Sequence, residues 1–192
     1  VEIAELPPPT QGASALEALR ILDGFDDLGG RDPVEREHLR VEAFKAAMAD
    51  RDAWITDPDA MPVDASTLWS DAWVAARRAS IDPSRAGRPD PAVPQPGGTA
   101  YLCAADADGL LVSLIQSNFV HFGSGVHVPD WGINLNNRGF SFSLDSARPN
   151  VLAPGKRPMH TLIPAMALRD GEPWLVFGSM GGDAQAAVHV QV

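Results

Sequence analysis

The sequence predicts an α+β layered fold, with helices in the first part and antiparallel hairpins in the second. Three observations support this: helix-start signals and apolar periodicity before residue 80, a proline- and glycine-rich stretch over 82–98, and strand-like runs joined by turn signals from residue 99 onward. Helices followed by paired hairpins are typical of α+β proteins. We therefore divide the chain into 1–81, 82–98 and 99–192.

The first and third helices are predicted from local signals. Ser14 and Glu17 have capping-box spacing, and an apolar stripe follows them. The third helix is predicted over residues 67–80. The second helix has stronger start signals, because Asp32 can act as N-cap and Pro33 suits the first helical position. Glu35 would complete its capping box, and we expect this helix to end near residue 51.

Residues 82–98 separate the two parts. This stretch contains five prolines and three glycines. Fixed φ angles and missing donors at that density are incompatible with a packed element, so we expect an exposed linker. It is either a plain connection or a loop at which the chain is processed.

The second part reads as strands and loops. Two strands are predicted around the turn Asp106–Gly109, with Cys103 as a small core residue, and a second hairpin turns at Asp170-Gly171. Residues 118–160 are predicted to form long loops that line a site, since compact domains that keep such loops often use them. A short helix is predicted after Gly182.

Composition excludes several kinds of partner. The formal charge is −10 and no basic patch exists, which argues against nucleic acid and anionic membranes. The single cysteine excludes an intrachain disulfide. No apolar run reaches the length of about 18 residues that a transmembrane helix needs. The chain opens at Val1 rather than Met, and we expect it to be a piece of a longer chain.

The first candidate for chemistry is the Gly98–Thr99 bond at the end of the linker. If this bond is cut, Thr99 carries a hydroxyl and a free α-amine whose reference pKa is near 8, low enough to act as a general base at about neutral pH. Gly98 has no side chain to obstruct attack on its own carbonyl. From the residues alone, Thr99 could equally be an ordinary first residue of a strand.

Two further motifs also allow two interpretations. Gly178 to Gly182 follow a predicted strand and precede a helix, so their N–H groups could stabilise an oxyanion, or the segment could be a simple tight turn. Pro154 to Pro158 form a rigid basic loop, which is either structural bracing or a wall of a cleft.

These motifs, taken in order, resemble the γ-glutamyltranspeptidase family along the whole chain. The resemblance implies the four-layer αββα fold of N-terminal-nucleophile hydrolases and a precursor that cleaves itself between Gly98 and Thr99. Residues 1–81 would end the large subunit and residues 99–192 would begin the small one. The matching positions are His38, Glu42-Ala43, Ala49-Asp50-Arg51, Asp57-Pro58, Thr99, Asp106, Asp108-Gly109, Val112-Ser113, Phe122-Gly123, Gly132-Ile133, Leu135-Asn136-Asn137, Pro149-Asn150, Pro154 to Pro158 and Gly178 to Gly182.

The resemblance implies a catalytic role for four residues. Thr99 matches the nucleophile, and Ser117 falls where the family has a second threonine that hydrogen-bonds to it. Gly181 and Gly182 match the pair whose N–H groups form the oxyanion hole. The family uses no cofactor or metal for this chemistry, and the five histidines show no metal-binding spacing, so we expect them to be structural, with His160 the first candidate for an exception.

The positions that contact substrate in the family depart from its pattern. Thr and His after the nucleophile are replaced by Ala100 and Tyr101, and an Asn is replaced by Phe119, although Asn118 is adjacent. The Gln and Asp that hold the α-ammonium of a glutamyl group fall at Arg138 and Ser141, and the paired serines that contact the α-carboxylate fall at His160 and Thr161. Arg138 could alternatively be a structural or surface salt-bridge arginine. We expect the substrate-binding set to be Asn118, Arg138, Ser141, His160 and Thr161.

The predicted activity is amide hydrolysis or acyl transfer through an acyl-Thr99 intermediate. Replacing a carboxylate by donor-only Arg138 should repel an α-ammonium, so the chain resembles the acylase-like branch of the family, including cephalosporin and glutaryl acylases. The expected partners are a γ-glutamyl or related acyl amide and the remainder of its own subunits. A non-catalytic member and a generic binding domain are the rival interpretations. The sequence leaves the compartment open, with the cytoplasm slightly favoured.

Overall fold

The computed structural model describes residues 1–87 and 98–192, which form a mixed helix and sheet structure. The predicted mixture of helices and strands is therefore confirmed. Within the described residues the helices are α1 (Gly12–Asp23), α2 (Pro33–Trp54), α3 (Asp71–Ala79) and α4 (Gln185–His189). The strands are β1 (Glu2–Ala4), β2 (Gly98–Ala105), β3 (Leu111–Phe119), β4 (His127–Val128), β5 (Ile133–Asn134), β6 (Ala165–Arg169) and β7 (Glu172–Phe177).

Helix α2 begins where the sequence predicts. The Asp32 carboxylate accepts hydrogen bonds from the N–H groups of Val34 and Glu35, so it is the N-cap. Glu35 pairs with Arg31 instead of completing a capping box. The helix ends at Trp54, one turn beyond the predicted end, because Trp54 packs against the cluster that contains Ala13 of α1.

The capping box predicted for α1 is wrong. The helix begins at Gly12, whose N–H donates to the Thr10 hydroxyl at 3.1 Å, and Ser14 and Glu17 are buried inside it. The predicted third helix is also shorter than expected. Its first part is a separate 3₁₀ turn, Ala65–Trp69, and α3 starts only after the extended residue Ser70.

Both predicted hairpins are confirmed. Strands β2 and β3 pair antiparallel around the Asp106–Gly109 turn, and β6 and β7 pair around Asp170-Gly171. The sequence did not predict β1, which adds to β6 and gives a three-stranded sheet in the order β1-β6-β7. Residues 118–160 form loops with the two short strands β4 and β5, in agreement with the prediction.

Helix α1 lies at the centre of the helical core. Ile21 and Leu22 pack with Leu39 and Ala43 of α2 and with Val74 of α3. Ala15 packs on its other side against Ile163 and Ala186, in the part of the chain that also contains the sheets. The core therefore joins the segments before and after the linker, as ordinary close packing of buried apolar side chains.

The start of the predicted linker contacts helix α2. Most of the predicted linker, 88–97, lies outside the described residues. At its start, the Gly87 N–H donates to the Glu42 carboxylate. Cys103 is exposed, so the prediction of a core position is wrong. Leu102 and Leu114, which pair on the opposite face of the β2–β3 hairpin, are exposed as well. None of the described helices has the length and hydropathy to span a membrane.

A buried acidic pair joins the first three helices. Glu17 and Asp50 both accept from the Trp73 indole N–H at 3.0 Å, and Arg77 forms an ion pair with Asp50. Burial, together with the hydrogen bond and charge of Asp50, raises the pKa of Glu17 from 4.5 to about 9. Glu17 therefore carries a proton at neutral pH, while Asp50 is the charged partner of Arg77.

This protonated carboxyl predicts a pH dependence of stability. The folded chain holds the Glu17 proton up to about pH 9, whereas the unfolded chain releases it near pH 4.5. The contribution of Glu17 to stability is therefore fully present below about pH 4.5 and is lost as the pH rises through about 9. Measured by calorimetry on the full-length protein, Glu17→Gln should flatten the fall in Tm between these values. The exposed Glu37→Gln is the control, and identical pH profiles for wild type and Glu17→Gln would contradict this.

Candidate active site

The Gly98–Thr99 peptide lies at the start of β2, next to Ser117 of β3. Thr99 is opposite Ser117 in the register of β2 and β3, and the ladder is shifted between Gly98 and Thr99. The Ser117 hydroxyl donates to the Gly98 carbonyl oxygen at 2.6 Å and accepts from the Phe119 N–H at 2.9 Å. The hydroxyl that the sequence placed beside the nucleophile therefore contacts the carbonyl of the predicted cleavage site.

The end of β3 is held by the loop that follows it. The carbonyl of Asn118 accepts from the Asn137 N–H at 3.2 Å. The Asn137 side chain accepts from the Val120 N–H at 3.0 Å and donates to the carbonyls of Val120 and Gly123. Asn118 is therefore positioned through its main chain. Asn137 connects the β3 end to the segment that carries Arg138.

The turn from Gly178 to Gly182 follows β7 directly. Gly181 has φ 135° and Gly182 has φ 56°, both in the region that L side chains rarely adopt. No hydrogen bond within the described residues uses the N–H of Gly181 or Gly182. Both N–H groups are therefore free to donate to a bound anion.

The fully buried Gln11 holds this turn from the helical side. Its amide nitrogen donates to the Gly182 carbonyl at 2.9 Å and to the Thr161 carbonyl at 3.2 Å. Its amide oxygen accepts from Arg51 at 2.8 Å, and Arg51 also donates to Asp183 at 2.6 Å. The Gly182–Asp183 segment is thus held by Gln11, the residue before α1, and by Arg51 of α2.

Tyr101 connects the strand of Thr99 to the same turn. Its hydroxyl lies 2.9 Å from the Ser113 hydroxyl, and Ser113 lies 3.3 Å from the Phe177 carbonyl. The Tyr101 ring occupies the space next to Gly178, where a Cβ would overlap ring carbons. Tyr101 was noted in the sequence only as a departure from the family, yet it packs β2 against the end of β7.

Arg138 is buried without a partner. It is 6% exposed, and both terminal guanidinium nitrogens lack a hydrogen-bond acceptor among the described residues. Its guanidinium carbon lies 5.3 Å from the centre of the Phe119 ring, and burial lowers the pKa of Arg138. Arg138 is therefore not a surface salt-bridge arginine.

His160 is held by the main chain next to α1. Its N–H donates to the Pro9 carbonyl at 2.9 Å, and its carbonyl accepts from the Gln11 N–H. Burial, and then the charge of Arg138, lower the pKa of His160 from 6.5 to about 4, so the ring is neutral at neutral pH. Since its Nδ1 accepts from the Leu162 N–H at 3.3 Å, the ring proton is on Nε2, which can donate.

The other predicted substrate-binding residues, Thr161 and Ser141, lie in different parts of the structure. Thr161 is buried, and its carbonyl is bonded to Gln11. The Ser141 carbonyl accepts from Asn150 at 2.7 Å, and Ser141 lines a cavity of about 320 Å³ together with Arg51 and Asn150. No other predicted site residue lines that cavity. The described contacts thus bring Thr99, Ser117 and Gly98 together, and separately Arg138, Phe119 and His160.

The basic loop Pro154 to Pro158 braces the fold. Lys156 donates to the carbonyls of Pro149 and Val151. Arg157 forms an ion pair with Asp57 at 2.6 Å, and its N–H donates to the same carboxylate. These bonds hold the pKa of Asp57 well below its usual range. The structural interpretation of this loop therefore accounts for both of its basic side chains.

The other histidines have ordinary contacts. His189 lies 2.6 Å from the Glu5 carboxylate in a buried pair, and His38 bonds to the Asp82 carbonyl. His127 bonds to Asn134. Within the part of the chain that the structure describes, no group of three His, Cys, Asp or Glu residues is arranged to hold a metal ion.

Comparison with known proteins decides the family. The family model for gamma-glutamyltranspeptidase matches residues 1–192. This chain belongs to the gamma-glutamyltranspeptidase family. The resemblance stated from the sequence is therefore confirmed.

Within the family the chain is similar to proteins with several named activities. It is 46% identical over 181 residues to the oxamate amidohydrolase proenzyme of Klebsiella pneumoniae, covering 94% of this chain and 34% of that protein. It is 38% identical over 184 residues to a glutathione hydrolase-like proenzyme of Bacillus subtilis, covering 95% of this chain and 35% of that protein. The chain therefore spans about a third of the length of these relatives.

Solved structures give the same result for the fold. The structure of a cephalosporin acylase from Bacillus halodurans superposes with a TM-score of 0.87 at 43% identity, over 98% of this chain and 34% of that one. The chain is thus built like the matching third of that acylase.

Sequence reasoning missed Gln11, Arg51 and the structural role of Tyr101. Arg51 was among the residues that resembled the family, but its contact with Asp183 spans 132 residues and its contact with Gln11 spans 40. A glutamine after a run of prolines carries no local signal for such a role. Tyr101 had one usable signal, its position two residues after Thr99 on the same face of a strand.

The contact between Tyr101 and Gly178 predicts a sensitive position. Gly178→Ala would place a methyl group against the ring, and overpacking of this kind typically costs about 1–3 kcal/mol. In the full-length protein we expect a lower Tm and slower self-cleavage, measured by calorimetry and denaturing gels. Gly29→Ala, where a Cβ meets nothing within 4 Å, is the matched control. Equal Tm values for the two variants would show that the contact does not constrain the turn.

Proposed function

We propose that the full-length protein is an N-terminal-nucleophile amidohydrolase or acyltransferase that acts through an acyl-Thr99 intermediate after cutting its own chain before Thr99. Membership of the gamma-glutamyltranspeptidase family supports an amide-cleaving enzyme. The observation that carries the assignment of Thr99 is the hydrogen bond from the Ser117 hydroxyl to the Gly98 carbonyl at 2.6 Å, directly across the ladder from Thr99.

Self-cleavage follows from this arrangement. The Thr99 hydroxyl attacks the Gly98 carbonyl carbon, and the Ser117 hydroxyl stabilises the negative charge that develops on the carbonyl oxygen. The C–N bond then breaks, the Thr99 nitrogen takes a proton, and an ester joins Gly98 to the Thr99 oxygen. Water hydrolyses the ester, which leaves a carboxylate on Gly98 and a free α-amine on Thr99.

Turnover uses the amine that cleavage releases. The α-amine accepts the proton of the Thr99 hydroxyl, the oxygen attacks the substrate carbonyl, and the amine of the leaving group departs with a proton. The N–H groups of Gly181 and Gly182 would stabilise the oxyanion, each by roughly 3 kcal/mol. Gln11 supports this role indirectly, because its amide holds the carbonyl of Gly182 at the end of the same turn. Water or an amine then takes the acyl group, and the scheme requires no metal or cofactor.

The proposal includes parts of the protein beyond this chain. We infer a four-layer αββα fold, with residues 1–81 as the end of a large subunit and residues 99–192 as the start of a small one. The relatives are named as proenzymes and are about three times as long as the match, which supports this division. The site would be completed by the remaining segments of both subunits, so we expect this piece to be inactive by itself.

For the acyl donor, the structure favours an acylase over a transferase of γ-glutamyl groups. A γ-glutamyl group carries an α-ammonium, which the buried charge of Arg138 would repel. Oxamate, the compound named for the Klebsiella relative, is an amide with a carboxylate and no ammonium. We therefore propose acyl amides without an α-ammonium as the preferred substrates, with γ-glutamyl amides as the alternative.

Cleavage before Thr99 can be tested directly. Full-length Thr99→Ala should remain one chain on denaturing gels. The wild type should give two pieces whose intact masses correspond to cleavage between Gly98 and Thr99. Ser117→Ala should slow cleavage roughly 10- to 100-fold, because it removes one hydrogen bond to a developing charge. Ser117→Thr keeps the hydroxyl and should cleave, and the exposed Ser80→Ala is the control. Cleavage of Thr99→Ala at the same bond would refute the assignment.

Donor preference is tested with two anilides that differ only in the ammonium. Wild-type full-length protein should show a larger kcat/KM for glutaryl p-nitroanilide than for γ-glutamyl p-nitroanilide, because the ammonium would be placed against Arg138. Release of nitroaniline gives the rate for both. Equal values for the two donors would eliminate the acylase assignment while leaving the Thr99 chemistry in place.

A further inference from the structure

We propose that Glu5 and His189 are a positioning pair for the turn from Gly178 to Gly182. The inference rests on the proposed function, because that function makes the turn a donor of N–H groups to the oxyanion. Glu5 lies in the segment before α1, and His189 is the last residue of α4, the helix that follows the turn. Neither side chain contacts the substrate in this scheme, and both act by fixing where the turn lies.

The first support is the burial of the pair. The side chains of Glu5 and His189 are both 0% exposed, and Nδ1 of His189 lies 2.6 Å from Oε1 of Glu5. The other polar atoms of these side chains, Oε2 and Nε2, have no hydrogen-bond partner among the described residues. Burial raises the pKa of Glu5, and the hydrogen bond and charge of His189 lower it in part. Within the described chain, each side chain therefore depends on the other for its one polar contact.

The second support is that His189 contacts the chain before the turn and belongs to the helix after it. The ring centre of Phe177, the residue before Gly178, lies 5.0 Å from that of His189, and the two rings are inclined at 66°. After the turn, the 3₁₀ segment Gly182–Ala184 leads directly into α4, which ends at His189. The chain therefore leaves β7 beside the His189 ring and returns to the same ring at the end of α4.

The third support is that one closely packed loop before α1 carries both Glu5 and Gln11. A Cβ at Gly12 would lie only 2.8 Å from the Cβ of Glu5, so the absence of a side chain at Gly12 permits this close approach. Gln11 holds the Gly182 carbonyl at 2.9 Å. Glu5 holds His189 at the far end of α4. The loop before α1 therefore anchors the segment from the turn to the end of α4 at two points.

Loss of the pair should affect kcat and leave KM unchanged. The oxyanion exists only in the transition state, so displacing its donors removes stabilisation that the bound substrate does not use. Removal of one such donor typically lowers kcat by about 10²–10³, and a displaced turn should lower it about 10- to 100-fold. General loss of stability would change Tm without this separation of kcat from KM.

The experiment uses the full-length, self-cleaved protein and whichever of the glutaryl and γ-glutamyl p-nitroanilides it cleaves faster. His189→Phe keeps a ring beside Phe177 but removes Nδ1, and it should lower kcat about 10- to 100-fold at unchanged KM. His189→Asn keeps a donor near the position of Nδ1 and should recover part of kcat. His38→Phe is the matched control, because His38 also bonds through one ring nitrogen, to the Asp82 carbonyl, at an exposed position.

A double variant separates positioning from stability. Glu5→Leu combined with His189→Phe replaces both partners by apolar side chains, so neither polar group is left buried alone and the chain should fold. This variant should still show a lower kcat at unchanged KM. A folded double variant with the kcat of wild type would overturn the inference.

Hydrogen exchange tests the position of the turn without catalysis. In peptides over 178–192, read by mass spectrometry, the double variant should exchange faster than wild type, whereas peptides of α3 should not change. Equal exchange over 178–192 in the two proteins would also overturn the inference. If wild type cleaves neither anilide but exchange rises in the double variant, the catalytic proposal fails and the positioning of the turn by Glu5 and His189 stands.

Discussion

The buried side chain of Gln11 is the interaction on which most of the site depends. It donates to the carbonyls of Thr161 and Gly182 and accepts from Arg51, so one amide joins α1, α2 and the two loops that flank the β6–β7 hairpin. Each of those partners is a main-chain group or a charge that would be costly to bury alone. Gln11, just before α1, and Arg51 of α2 therefore anchor the end of the Gly181–Gly182 turn through the Gly182 carbonyl and Asp183.

The pairing of β2 with β3, rather than Gln11, positions the Gly98–Thr99 bond. Thr99 and Ser117 face each other because β2 and β3 are in register around the Asp106–Gly109 turn, and Tyr101 holds that ladder against Gly178. The hydroxyl of Ser117 can then reach the Gly98 carbonyl without any special backbone conformation at Ser117 itself. The proposed chemistry thus needs two independent supports, the hairpin for the nucleophile and the Gln11 contacts for the turn.

Local signals predicted those parts of the fold that depend on local physics. The N-cap Asp32 and both hairpin turns are encoded within a few residues, and they were predicted correctly. The capping box at Ser14 and Glu17 failed because Glu17 makes a long-range contact with Trp73, which spacing alone does not reveal. The prediction for Cys103 failed because a strand pattern does not show which positions along the strand other elements cover. The candidate site residues were predicted from the ordered family motifs. The contacts of Gln11 and the lack of a partner for Arg138 are visible only in the three-dimensional structure.

Buried charges are neutralised in the helical core but not at Arg138. In the helical core, Asp50 is paired with Arg77 and Glu17 is protonated, so the acidic groups there are neutralised by a partner or by a proton. Arg138 is neutralised in neither way, because a guanidinium does not give up its proton and no described carboxylate contacts it. The helical core thus neutralises its buried charges internally, whereas Arg138 leaves one buried guanidinium uncompensated among the described residues. We therefore attribute the proposed preference for acyl groups without an α-ammonium to this uncompensated charge.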